Sequence, residues 1–160
     1  MQTAVADTSV RNYLVLIGEI GILPALFGGI VIPHAVYREL THGGTPAPVR
    51  EWIVTPPAWL SSAPAPTDSA PDLFSLDDGE REVVALASRL GNALVLMDDR
   101  AGVIVARSRG LRATGTLGLL DLAAERRLID VEAAMLRLSR TSFRIDQRVA
   151  ASIVQRHGRA

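Results

Sequence analysis

The stretch Ala93-Leu94-Val95-Leu96-Met97-Asp98-Asp99-Arg100 decides the fold: five apolar residues in a row end abruptly on two carboxylates and an arginine. A run of that length suits a strand buried on both faces and is short for a buried helix. Upstream, Val83, Leu86, Ala87 and Leu90 recur at helical spacing behind Asp77-Asp78, and Gly91 stops that helix near residue 90. Downstream, the pattern predicts a helix over about 100–108 stopped by Gly110, a short strand at 111–113, and a helix at 117–126 capped by Thr116. Two more helices, at 131–140 and 146–157, follow. The first part of the chain alternates in the same way. A strand at 3–6 ends on Asp7-Thr8-Ser9, Ser9 is placed to cap a helix over 10–20, a short helix covers 23–27, and a strand at 30–32 leads through Pro33 into a helix at 34–40. Strands alternating with helices predict an α/β fold with a mostly parallel sheet covered on both faces.

With 160 residues, one domain spanning 1–160 is expected, since domains run to about 100–200 residues. A hydrophobic content of 48% and a mean hydropathy of +0.23 exclude a disordered chain. The apolar runs fall well short of the ~20 residues that span a bilayer, and no basic segment followed by an apolar one opens the chain. These features predict a soluble cytoplasmic protein with no membrane partner. Without cysteine there is no disulfide framework and no thiolate zinc site. Residues 41–72 carry seven of the nine prolines and predict a long proline-rich loop, with one helical turn, an edge strand around Trp59-Leu60, and Trp52 and Trp59 as anchors.

The charges cancel, 17 against 17, but unevenly. Five arginines face twelve acids before Arg100, and twelve arginines face five acids from Arg100 onward. Such asymmetry points to a nucleic-acid partner or to ordinary solvated faces.

Five acids stand where an apolar pattern is interrupted. Asp7 and the pair Asp98-Asp99 end two strands, and in open parallel sheets ligands bind at the carboxyl ends of strands. Glu39 shares the helical face of Ala35 and Val36, and Glu80 precedes Val83 and Val84 on theirs. Acids on an apolar stripe are costly unless paired or bound to metal. Taken singly, each has a structural alternative: Asp7, Asp98 or Asp99 as an N-cap, Glu80 as a favourable charge at a helix N-terminus. Taken together, they suit Mg²⁺ or Mn²⁺, which take oxygen ligands and need neither cysteine nor histidine.

The segments Val5-Ala6-Asp7-Thr8-Ser9, residues Val31 to Leu40, Asp78-Gly79-Glu80, Leu94 to Arg100 and Gly115-Thr116-Leu117-Gly118-Leu119-Leu120 resemble, in order and spacing, PIN-domain proteins. Within that family the chain is similar to a branch of small stand-alone predicted nucleases related to toxin-type members. The resemblance implies a three-layer α/β/α sandwich and a metal-dependent ribonuclease site. By position it makes Asp7, Glu39, Glu80 and Asp99 the catalytic acids and metal ligands, with Asp98 beside Asp99 as a further ligand. Thr8 and Ser9 would support ligand waters or the Asp7 carboxylate. The chain departs from many toxin-type members in having Glu80 rather than aspartate at the third position, and a Met-Asp pair before the fourth acid. The resemblance also implies RNA as substrate, an antitoxin protein as a partner and a homodimer, for which apolar residues between Val10 and Phe27 would provide the face. A catalytically silent module that binds RNA or protein is the alternative.

Arg100, Arg107, Arg109 and Arg112 follow the acidic strand end and are expected to grip the phosphate backbone. Arg137, Arg140, Arg144 and Arg148 are further candidates for the same grip, with a solvated helix face or the docking site of an acidic partner as the alternative. His34, His42 and His157 lack metal-site spacing, and no nucleophile elbow or lysine-ending phosphate loop is present.

Overall fold

The computed structural model describes residues 2–41 and 44–158. Its strands are β1 (Thr3–Ala6), β2 (Gly29–Pro33), β3 (Leu60–Ala63), β4 (Leu94–Leu96) and β5 (Arg112–Thr114). They form one sheet in the order β3-β2-β1-β4-β5, with every neighbouring pair parallel. The helices are α1 (Thr8–Leu16), α2 (Ile22–Leu26), α3 (His34–Thr41), α4 (Ala47–Val54), α5 (Asp78–Leu90), α6 (Arg100–Ser108), α7 (Thr116–Glu125), α8 (Val131–Ser139) and α9 (Gln147–His157). Successive residues Ala4, Val5 and Ala6 of β1 and Val95 and Leu96 of β4 are all buried. Because neighbours along a strand face opposite sides, helices must cover both faces, giving the α/β/α sandwich.

The strand order positions the site. From β1 the chain winds outward through β2 to β3; α5 then carries it back across the sheet, packing on β1, β2 and β4, and it winds outward the other way to β5. β1 and β4 are therefore the adjacent strands at which the winding reverses, and the connections leaving their carboxyl ends diverge to leave a crevice. Ala6 pairs with Leu96, and the Asp7 N–H donates to the Leu96 carbonyl at 2.9 Å. That register sets Asp7 beside the end of β4, where Asp98 and Asp99 follow.

Several expectations change. α1 starts at Thr8 rather than being capped by Ser9, and it ends at Leu16 before the left-handed Gly18 at φ 75°. Pro33 closes β2 instead of opening α3. Residues 41–72 hold the edge strand but more helix than the prolines suggest: Pro48 falls in the first turn of α4, where a missing N–H costs nothing, and Val49 and Ile53 are buried one turn apart. Trp52 and Trp59 do anchor this segment, with ring centroids 5.8 Å apart and both packed on the core. Most of the apolar residues between Val10 and Phe27, from which a dimer face is expected, are turned inward. Val10, Leu14, Ile17, Ile22, Leu23, Leu26 and Phe27 are buried within the chain, and of the large hydrophobics there only Leu16 is exposed.

Arg11 is the least expected core residue. It is fully buried over the Trp52 ring, 5.7 Å from the centroid, and none of its guanidinium nitrogens has a hydrogen-bond partner. Burial pulls its pKa down to about 9. A buried charge without a partner costs stability, and an apolar side chain of similar length removes that cost. Arg11→Met is expected to stabilise the fold by about 1–3 kcal/mol, read as a higher melting temperature; a lower one would show that the stacking on Trp52 outweighs the buried charge.

Candidate active site

A cavity of about 630 Å³ opens at the β1/β4 switch, and six carboxylates line it: Asp7, Glu39, Asp77, Glu80, Asp98 and Asp99. All five acids expected from the sequence therefore reach one crevice, and Asp77 joins them. Thr8, Ser9 and Asn12 line it as well.

Each acid is held by a local device. Asp7 is 7% exposed and stands at the N-cap of α1, yet its side chain makes no capping hydrogen bond. Glu39, on α3, accepts from the Thr8 hydroxyl. Its carboxylate fits against Gly79 of α5, where a Cβ would come within 2.6 Å of Oε1. Asp98 uses both oxygens on the start of α7: Oδ1 accepts from the Thr116 N–H and Oδ2 from the Thr116 hydroxyl, each at 2.7 Å. Gly115 makes room, since a Cβ there would stand 2.5 Å from Asp98 Oδ1. Asp99 caps α6 through Gly102 N–H at 2.9 Å. Asp77 and Glu80 form a reciprocal capping box at the start of α5, at 2.8 and 3.2 Å.

The hydroxyls serve other acids than the sequence suggests. Thr8 bonds Glu39 rather than Asp7, Ser9 bonds Asp98, and Thr116 turns to Asp98 instead of capping α7. The helix-capping alternatives for Asp99 and Glu80 are realised while both still face the cavity.

Crowding these acids at a buried edge shifts their protonation. Burial pushes Asp7 up to about 7, the Thr8 backbone N–H opposes this, and the charges of Asp77, Glu39 and Glu80 add to it. Glu80 also rises to about 7, chiefly through burial, with the neighbouring Asp77 and Asp99 contributing. Asp98 is raised by burial against the pull of its bonds to Thr116 and Ser9.

The donor set suits a hard divalent ion: six carboxylates and, among them, Asn12 Oδ1, a buried oxygen with no hydrogen-bond partner. It is not a closed metal cluster. Among the described residues no three acidic or imidazole side chains are arranged to hold an ion as they stand. The acids ring the cavity because most are turned toward a protein donor. Gly79→Ala tests how far Glu39 depends on its recess. Alanine favours a helix over glycine by about 1 kcal/mol, so the fold is expected to keep its melting temperature. The displaced Glu39 is expected to weaken the binding of Mn²⁺ by about tenfold, read by calorimetric titration beside thermal melting.

The arginines expected to grip phosphate do not line this cavity. Arg109 is a correction: its guanidinium pairs with Asp72 and Asp68 at 2.8 Å, tying α6 to the proline-rich segment and holding both carboxyls below their usual range. Arg107 donates to the Ala113 carbonyl at 3.3 Å, while Arg100 and Arg112 are exposed beyond the cavity. Arg137, still partly exposed, bonds Ile17 O and Glu19. His157 pairs with Asp121 and His34 is exposed on α3; His42 lies outside the described residues. What sequence inspection missed are Asn12, Asp77, Tyr13, Ser142 and Phe143; Arg144, one of the further arginine candidates, reaches the cavity with the last two from the far end of the chain. Only Asp77 carried a local signal, the Asp-x-x-Glu spacing of a capping box.

A doubly wound parallel sheet with carboxylates at its switch point defines an α/β protein with an acidic candidate ligand site. The model of the family DUF3368, a PIN domain, matches residues 3–159, and the chain belongs to that family. No curated protein and no solved structure matches the chain. Among the described residues no helix is long and apolar enough to cross a membrane.

Proposed function

We propose that this PIN-domain protein is an endoribonuclease that hydrolyses RNA phosphodiester bonds with Mg²⁺ or Mn²⁺ held by Asp7, Glu39, Glu80, Asp98 and Asp99. The observation that carries the proposal is the oxygen-only ring of acids around Asp7, a buried carboxylate facing three like charges. When bound, a divalent cation neutralises that field and stabilises the charge that develops as the phosphodiester breaks. Asp7 contributes a carboxylate that makes no capping bond, and Glu39 one that, among the described residues, accepts only from Thr8. Asp98 and Asp99 fix the starts of α7 and α6, so that each also presents remaining lone pairs to the cavity from a rigid helix end. Thr8 orients Glu39 and Ser9 steadies Asp98. The PIN family assignment gives the nuclease class its support.

A role as the toxin of a toxin–antitoxin pair, with a neighbouring protein covering the acidic edge, belongs to the same proposal. The test is cleavage of an end-labelled single-stranded RNA. Cleavage in Mn²⁺ that stops with chelator supports the nuclease. RNA binding without cleavage in any divalent ion would identify a catalytically silent binding module.

A further inference from the structure

We infer that Arg144, presented by the segment between α8 and α9, is the phosphate-holding residue of the acid cavity, and that the adjoining Phe143 is a stacking surface selecting single-stranded RNA. The inference rests on the nuclease assignment above and specifies how its substrate is held. Among the described residues Arg144 is the only cation lining the cavity, and it is exposed with no ion pair to any of the six acids. Three arginines of the basic part are engaged elsewhere, Arg109 with Asp68 and Asp72, Arg137 with Glu19 and Arg156 with Asp121, and Arg100 and Arg112 lie beyond the cavity. A polyanion entering a ring of carboxylates needs a cation at its mouth, and a planar guanidinium matches a phosphate with two parallel hydrogen bonds.

The segment is held in place rather than loosely draped. The Ser142 hydroxyl and the Tyr13 hydroxyl are 3.0 Å apart, Phe143 meets the Tyr13 ring edge-on with centroids 4.9 Å apart, and the Phe143 N–H donates to Thr141 Oγ1 at 3.2 Å. Tyr13 belongs to α1, less than two turns after its N-cap Asp7, so one helix and its cap carry both a candidate ligand and the support for the segment. Phe143 is half-buried and lines the cavity. Aromatic surfaces beside a cation bind unpaired bases by stacking, which a paired duplex does not offer.

The experiment measures fluorescence anisotropy of a labelled single-stranded RNA with the full chain carrying Asp7→Asn, which prevents turnover, and in parallel the cleavage kinetics of the chain with native Asp7. Arg144→Ala is expected to weaken binding about fivefold to tenfold and to flatten the slope of log affinity against log salt by about 0.7, the value for one phosphate contact on a single strand. Arg144→Lys is expected to keep the slope and recover part of the affinity. Phe143→Leu, which preserves the packing on Tyr13 with an apolar side chain, is expected to weaken binding with an unchanged slope. In cleavage, Arg144→Ala is expected to raise KM more than it lowers kcat. An active enzyme whose Arg144→Ala variant binds RNA with native affinity and slope would overturn the inference and leave the nuclease intact. Equal binding of duplex and single-stranded RNA would also overturn it. A chain that cleaves in no metal yet binds RNA through Arg144 would support the inference while the nuclease assignment fails.

Discussion

The Asp7→Asn protein is expected to melt higher than the native chain at pH 8 in the presence of chelator. Asp7 is buried, and its pKa of about 7 lies far above an ordinary aspartate's because burial and the charges of Asp77, Glu39 and Glu80 disfavour its ionised form. A carboxyl with a raised folded pKa binds its proton more tightly folded than unfolded. Stability therefore falls as pH rises through the window from about 4 to about 7, and the full cost is present above it. One pKa unit corresponds to about 1.4 kcal/mol, so removing this charge is expected to stabilise the metal-free protein by roughly 2–4 kcal/mol at pH 8. The advantage shrinks below pH 7 and vanishes below about pH 4. Mn²⁺ is expected to narrow the gap and, at about 1,000 times its Kd, where binding stabilises the native chain by about 4.1 kcal/mol, to reverse the order, because the variant has lost one of the carboxylates that draw the ion. Thermal melting across pH, with and without Mn²⁺, reads all of this. An Asp7→Asn protein that melts lower in chelator at pH 8 would mean that the carboxylate is held by a structural bond and is not a strained ligand.

Asp98→Ala is expected to have the opposite effect, a loss of about 2–4 kcal/mol, or roughly 4–16 °C in melting temperature for a chain of this size. Both Asp98 oxygens accept from Thr116, which is fully buried, so the substitution leaves an N–H and a hydroxyl in the core without partners. It also uncaps α7. Asp99→Asn is the companion measurement. Asparagine caps helices as well as aspartate does, so the bond to Gly102 survives and stability is expected to change by less than about 0.5 kcal/mol. The neighbouring acids thus separate: Asp98 is built into the fold and faces the cavity, whereas Asp99 can lose its charge without unfolding anything. Equal destabilisation by the two substitutions would contradict this division.

Much of this arrangement is legible in the chain because strand ends announce themselves. An apolar run that stops on a carboxylate, as at Ala6-Asp7 and Met97-Asp98, marks both the strand and the side of the sheet on which its acid emerges. Glu39 and Glu80 are visible as acids on apolar stripes. What a linear pattern cannot carry is the direction of a short side chain. Thr8, Ser9 and Thr116 all sit where hydroxyls cap helices, and only the meeting of β1, β4 and α7 turns them toward Glu39 and Asp98. Partners distant in sequence are equally hidden. Arg109 reads as a phosphate ligand until Asp68 and Asp72 arrive from the proline-rich segment, and Arg144 is one arginine candidate among several until the chain returns to the cavity beside Tyr13. The cancelled charge of 17 against 17 has a spatial meaning. Six of the acids are gathered around one crevice.

The most direct test of the central claim is the rate of single-stranded RNA cleavage by the native and Asp7→Asn chains, measured side by side in Mn²⁺ with circular dichroism confirming that both are folded. The account predicts cleavage by the native protein and a loss of at least about a hundredfold with Asp7→Asn, the scale on which a single catalytic electrostatic group acts. Equal rates for the two folded proteins, or cleavage that persists undiminished in chelator, would contradict it.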